Sequence, residues 1–330
     1  MEKFENAVGI DVSKLTLDAH DYEHSSHVQL SNDEKGFKGL VKWLKKLNKD
    51  KNTVICFEHT GLYSLPLAMF LTENQIPFFM VPGLEVRRSL GIRRGKSDKA
   101  DAEDISRYAF LRRKEVKLFE LPSQGLLKLR GLLNLREKMV KQKAGYQAAM
   151  KEMKRIFTQK DNPIWFKSQQ KIYKELSEQV GTIEAELLQI IQEDDRLKKL
   201  FELVCSVKGV GLVTGVSFIV YTNAFTSFDD WRSFASYSGT APFEYQSGTS
   251  IKGKTKVSHL ANKKMKALLS NAASCSIRYS TEMRLYYQRR LEEGKNKMST
   301  QNIIRNKIIA RVFAVVNRGT PYVDVLKHAA

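Results

Sequence analysis

Cysteine is nearly missing from this chain: Cys56, Cys205 and Cys275 are odd in number and far apart in 330 positions. That excludes a disulfide framework and a cysteine-rich zinc site. The six histidines give no expectation of a zinc centre either. No apolar run reaches the roughly 18 residues that a membrane span needs. The opening "MEKFENAVGID" has no basic segment followed by an apolar one, so no leader is expected. The expectation is a cytoplasmic protein with reduced thiols and no membrane partner.

Acid is also in short supply, with 36 Asp+Glu against 55 Lys+Arg. The formal net charge of +19 and a pI near 9.7 point to a polyanionic partner, and nucleic acid is the natural one. Between Lys252 and Arg318 there are 16 Lys and Arg against three Glu, a local net of +13, so most of the excess charge lies in one segment. The length favours more than one unit, since single cores stop growing at roughly 250–300 residues.

Hydrophobic patterning divides the chain. "AVGIDVSKLTLDAHD" and "HVQLSN" alternate and read as three antiparallel strands. Phe37, Leu40, Val41, Leu44 and Leu47 recur at helical spacing, "NTVICFEHTG" is a buried strand, "YSLPLAMFLTEN" a helix and "IPFFMVPG" another strand. A further helix opens in the acid-rich stretch near Asp98. The result is an α/β unit with a mixed sheet. From Gln124 the chain becomes long charged helix broken at Pro163, and Leu176, Val180, Ile183, Leu187 and Ile190 form a heptad seam. That seam fits a self-packed helical hairpin as well as a coiled coil between subunits. The last third opens with "VKGVGLVTG", in which Gly209 and Gly211 mark a tight turn, and ends in basic helix. We expect boundaries at 1–120, 121–200 and 201–330, the first unit α/β and the rest mainly α.

One stretch runs against the charge balance. In "RRGKSDKADAEDISRY", Asp98, Asp101, Glu103 and Asp104 come directly after Arg93, Arg94 and Lys96. Asp98 at an N-cap and Asp101 three residues on would start a helix by themselves. They would also share one helix face, close enough for a common metal ion. Asp11 interrupts the first strand after an apolar run, and Glu58 ends the fourth. With the first strand central, these carboxylates converge at one rim, where a divalent cation would relieve their repulsion.

The order of Asp11 in "GIDVSK", Glu58 in "FEHTG" and Asp98 and Asp101 in "KSDKADA" resembles the RuvC-like, ribonuclease-H-fold domain of DEDD-class bacterial insertion-sequence transposases, a family of bridge-RNA-guided recombinases. "VKGVGLVTG" and "FASYSGTAPFEYQSGTSIKGKTKVSHLANKKMKALL" resemble the C-terminal transposase domain of that family. The resemblance implies a tetrad of Asp11, Glu58, Asp98 and Asp101 holding Mg²⁺ or Mn²⁺, with Ser247 as nucleophile. It further implies DNA ends and target as substrates, a guide RNA, a helix-hairpin-helix-like element and a homo-oligomer, dimer or tetramer. Ser250 and Thr249 are hydroxyls of equal standing on sequence grounds, and a Ser before Gly is ordinarily a turn residue. Residues expected to touch nucleic acid are Arg93, Arg94, Lys96, Lys208, Lys252, Lys254, Lys256, Lys263, Lys264, Arg289 and Arg290. Tyr279, Tyr286 and Tyr287 interleave with the arginines in a pattern suited to base stacking. Two rivals remain open: a junction-resolving nuclease that uses water, and a non-catalytic nucleic-acid scaffold whose acids are helix caps.

Overall fold

The computed structural model describes residues 4–47, 52–89, 91, 97–248 and 251–324, without the side chains of 245, 247, 251, 252 and 254. The chain forms two compact units, Met1–Leu121 and Pro122–Ala330.

The first unit is built on a five-stranded sheet. Strands β1 (Asn6–Val12), β2 (Thr16–Asp21) and β3 (Ser26–Ser31) are antiparallel neighbours, followed by α1 (Glu34–Lys46), β4 (Thr53–Glu58), α2 (Leu65–Glu73) and β5 (Phe78–Val81). Helices α3 (Gly83–Ser89) and α4 (Asp98–Arg112) complete it. The strand order is β3-β2-β1-β4-β5, with β4 parallel to both β1 and β5, so β1 is central as the acidic pattern required. Helix α3 was not anticipated: seven residues are too few for a periodic signal.

Alternation along β1 and β4 splits the core. Val8, Ile10, Ile55 and Phe57 are fully buried with α1 and α2 side chains, while Ala7, Val54 and Cys56 are buried with Ile105, Tyr108 and Ala109 of α4. Each large side chain so buried contributes about 1.5–3 kcal/mol. The α4 side of β1 is lined by small residues, and Gly9 is the extreme case. A Cβ there would collide with the backbone of Ile105 and Ser106, so the helix lies directly on the strand.

The second unit begins with α5 (Gln124–Met153) and α6 (Pro163–Gln192), two 30-residue helices forming a hairpin. Part of the α6 seam packs inward: Ile183 and Leu187 share a core with Leu126, Leu129 and Leu133 of α5, where Ile191 is the fully buried residue and the expected Ile190 is only partly buried. Then come α7 (Asp195–Ser206), α8 (Leu212–Tyr221) and α9 (Trp231–Tyr237). Val216, Ile219 and Val220 of α8 join that same core, so α8 and the helical hairpin are one packed body. Strands β6 (Pro242–Ser247) and β7 (Ile251–Val257) form a two-stranded hairpin, a feature the polar sequence there did not announce. Helices α10 (Lys263–Tyr279), α11 (Thr281–Glu292) and α12 (Lys297–Arg318) carry the basic segment around a second core. Among the described residues no helix is long and apolar enough to cross a membrane.

Candidate active site

Register places the acids. Ile10 pairs with Phe57 across the parallel β1–β4 ladder, so Asp11 and Glu58 stand at the next position of adjacent strands. Both side chains keep to the alternation of Gly9 and Cys56 and emerge on the α4 face. Helix α4 supplies the other pair. Its sheet-facing stripe, Ala109, Ile105 and Ala102, continues at helical spacing to Asp101 and Asp98. From the Gly9–Ile105 contact, four residues of helix rise about 6 Å, and two residues of strand advance about 6.6 Å. The two elements therefore deliver Asp101 and Asp11 to the same level.

The electrostatics agree with that placement. Asp11 is half-buried, and burial, then the charges of Asp101, Asp98 and Glu58, pushes its pKa up to about 6 from 3.8. Asp11 thus feels the charges of Glu58, Asp98 and Asp101, although among the described residues these oxygens do not form a group of three or more ligand atoms within 4.8 Å of one another. The donor chemistry, oxygen throughout, is the kind that suits a hard divalent cation. The expected N-cap role of Asp98 is corrected. Ser97 is the cap, accepting from the Ala100 amide at 3.2 Å, and Asp98 is the first helical residue. A serine that satisfies the helix start leaves the Asp98 carboxylate, which is exposed, clear of that duty.

Several supporting residues escaped sequence reasoning. Asp18 of β2 pairs in register with Asp11, is buried, and adds its charge to that position. Its carboxylate accepts from Gln29 Nε2 at 3.2 Å and lies 3.0 Å from His27 Nε2. His20 Nδ1 lies 2.9 Å from Ser106 Oγ and ties β2 to α4, and burial lowers its pKa. Tyr108 donates to Glu85 Oε1 at 2.5 Å, joining α4 to α3, and a Cβ at Gly83 would strike the Glu58 carboxylate. Period-2 placement of Asp18 and His20 on one face was the available signal. A separate group, Asp21, Glu23 and His24, gathers ligand atoms within 4.8 Å at the β2–β3 turn, where His24 Nδ1 lies 2.7 Å from Asp21 Oδ2.

In the second unit, Ser247 ends β6 opposite Ile251 of β7. Thr249 and Ser250 fall outside the described residues, as do Arg93, Arg94 and Lys96. Lys252, Lys254 and Lys256 all lie on β7. Gly209, at φ 93°, is wedged against Ala272 and Ser276 of α10, whereas Gly211, just before α8, faces open space. Lys208 is half-exposed, and Lys263 is exposed at the start of α10. Lys264 is engaged within the unit, 2.5 Å from Glu137 Oε2 and donating to Asn134 Oδ1 at 3.0 Å. Arg289 lies over the Tyr286 ring at 5.5 Å, with Lys307 over the same ring at 4.6 Å. Arg290 pairs with Glu293 at 2.6 Å.

Similarity to known proteins covers both units, and the first match runs past Leu121 through α5. A transposase family of the DEDD type matches residues 8–157, and the transposase IS116/IS110/IS902 family matches residues 201–288. The pilin gene-inverting protein of Moraxella bovis is 27% identical over 326 residues, covering 96% of this chain and 97% of its own. Its namesake from Moraxella lacunata is likewise 27% identical over the same span. The insertion element IS110 uncharacterized 43.6 kDa protein of Streptomyces coelicolor is 30% identical over 123 residues, 37% of this chain and 30% of its own. An acid-rimmed mixed sheet joined to a basic helical unit is thus, here, the make-up of a DNA transposase or recombinase. The chain belongs to the IS110-type insertion-sequence transposases.

Proposed function

We propose that the protein exchanges DNA strands by serine attack, with the first unit a ribonuclease-H/RuvC-like metal site. The observation that supports this reading is the raised pKa of Asp11, which comes from its burial and then from the charges of Asp101, Asp98 and Glu58. Those four carboxylates would hold Mg²⁺ or Mn²⁺, which when bound supplies charge neutralisation at a phosphodiester. The Ser247 hydroxyl attacks phosphorus, the P–O bond to one deoxyribose breaks, and that oxygen leaves with a proton while a phosphoserine link forms. The link keeps the phosphodiester energy for rejoining. Lys252, Lys254 and Lys256 on the neighbouring strand favour a phosphate there.

Substrate choice on this reading is delegated to a guide RNA, the protein itself gripping backbone and shape. The basic segment, the glycine turn before α8 and the Tyr286–Arg289–Lys307 group support nucleic-acid contact. A homo-oligomer brings serine and tetrad of different chains to one phosphate. On this reading a boundary near 120 sets off the catalytic part, while the helical and basic transposase parts, parted near 200 in role, share the core that joins α8 to the helical hairpin.

The test is a denaturation-resistant protein–DNA adduct that needs Mg²⁺ and vanishes in Ser247→Ala. An adduct lost instead in Ser250→Ala moves the nucleophile by three positions. Cleavage undiminished in Ser247→Ala, with free phosphate ends, would establish the water-using nuclease. Mixing Ser247→Ala with Asp11→Asn protein should restore part of the activity if sites form between chains.

A further inference from the structure

This inference rests on the reading of Ser247 as the attacking group, because it concerns the hairpin that bears it. Phe243 of β6 is 48% exposed and Leu260, just past β7, is 58% exposed. Together with Ser236, Glu244, Lys256 and Ser258 they line an open cavity of about 610 Å³, within the size range of small-ligand sites. Phe243 and Lys256 are direct cross-strand partners, so an aromatic residue and a lysine line the cavity from the same rung. Immediately beyond that rung the register shifts between Phe243 and Tyr245. Such a bulge bends a strand and re-aims its side chains.

We infer that this cavity receives one unstacked nucleobase of the DNA strand attacked at Ser247, with Phe243 stacking on the base and Lys256 holding an adjoining phosphate. Three observations favour a base over a protein side chain. A nucleobase needs a flat apolar face and polar atoms around its edge, and Phe243 and Leu260 supply the first while the Ser236 and Ser258 hydroxyls and the Glu244 carboxylate supply the second. The cation in the lining belongs to the 252–318 segment with its net of +13, which complements a polyanion. The distance is also suitable. Four residues separate Phe243 from Ser247, about 13 Å of strand at 3.3 Å each, or about four stacked nucleotides at 3.4 Å each. The base held would therefore lie within a few positions of the attacked phosphate.

The probe is a short single-stranded oligodeoxynucleotide of mixed sequence with one 2-aminopurine at its centre, titrated with the full-length protein. Wild type should quench the fluorophore. Phe243→Trp should retain the quench, while Phe243→Ala and Phe243→Leu, the second keeping an apolar group without a stacking face, should lose it and bind about tenfold more weakly. Lys256→Ala should bind more weakly and reduce the salt slope by about 1. Thermal melts of each variant establish folding. An identical quench in wild type, Phe243→Ala and Phe243→Leu would overturn the inference. Ser247→Ala should quench like wild type, since it lacks only the hydroxyl. Adduct formation surviving in that variant would remove the serine reading while a Phe243-dependent quench stood. Loss of the quench dependence with adduct chemistry intact would remove the pocket alone.

Discussion

Gly9 of β1 lies against the backbone of Ser106 in α4, at a contact too close for any Cβ on the strand. This contact sets the depth at which the helix rides on the sheet, and so the level at which Asp98 and Asp101 meet Asp11. Gly9→Ala, and more so Gly9→Val, should lift α4 and destabilise the protein by about 1–3 kcal/mol. Strand exchange should fall further than stability explains, while affinity for nucleic acid is kept. Melting curves beside recombination assays decide it; a fully active Gly9→Val protein would show that α4 needs no such seat.

The raised pKa of Asp11 gives the metal-free protein a signature. Between about pH 4 and 6 the native state keeps a proton that the unfolded chain, with an Asp pKa of 3.8, has released. Native protein then binds more protons, so stability is greatest below about pH 4 at this group and declines as pH rises through 6. The decline should be about 1 kcal/mol once solvent screening of a half-exposed carboxylate is allowed for. In chelator at pH 7, Asp11→Asn should therefore melt higher than wild type. Added Mg²⁺ should raise wild type and leave Asp11→Asn nearly unmoved. Equal melting of the two proteins across this range, with and without Mg²⁺, would dissolve the proposed cluster.

Charge removal at each tetrad position should stop the chemistry and spare binding. Asp11→Asn, Glu58→Gln, Asp98→Asn and Asp101→Asn should each lower recombination at least about a hundredfold, with nucleic-acid affinity within about twofold of wild type as measured by filter binding. Asp104→Asn should be milder. An active Asp98→Asn protein beside a dead Asp104→Asn protein would move the pair three residues along α4, from Asp98 and Asp101 to Asp101 and Asp104.

Affinity should come from the 252–318 segment. Each phosphate neutralised contributes roughly 0.7–0.9 to the slope of log K against log salt, so binding should weaken steeply with salt, and changing Lys252, Lys254 and Lys256 together to Ala should flatten the line. Lys264→Ala should matter less, because Glu137 and Asn134 already engage that ammonium. A salt profile unchanged by the triple substitution would place the contact surface elsewhere.

The sequence by itself determined the five strands of the sheet, the major helices between and after them, the break at Pro163 and the order of acids along the chain, because period-2 and period-3.6 burial are local properties written in hydrophobic spacing. It determined the sign and the location of the charge for the same reason. Tertiary structure alone decided what those residues face. That Ser97 caps α4, so that Asp98 and Asp101 extend a sheet-facing stripe, depends on where the helix starts to the residue. That Asp18 stands beside Asp11, and that the α6 seam is filled by α5, depend on pairings between segments distant in sequence. Burial of charge is likewise a many-body property: Asp11 acquires its raised pKa only when helix α4 closes over β1 and brings the other carboxylates with it.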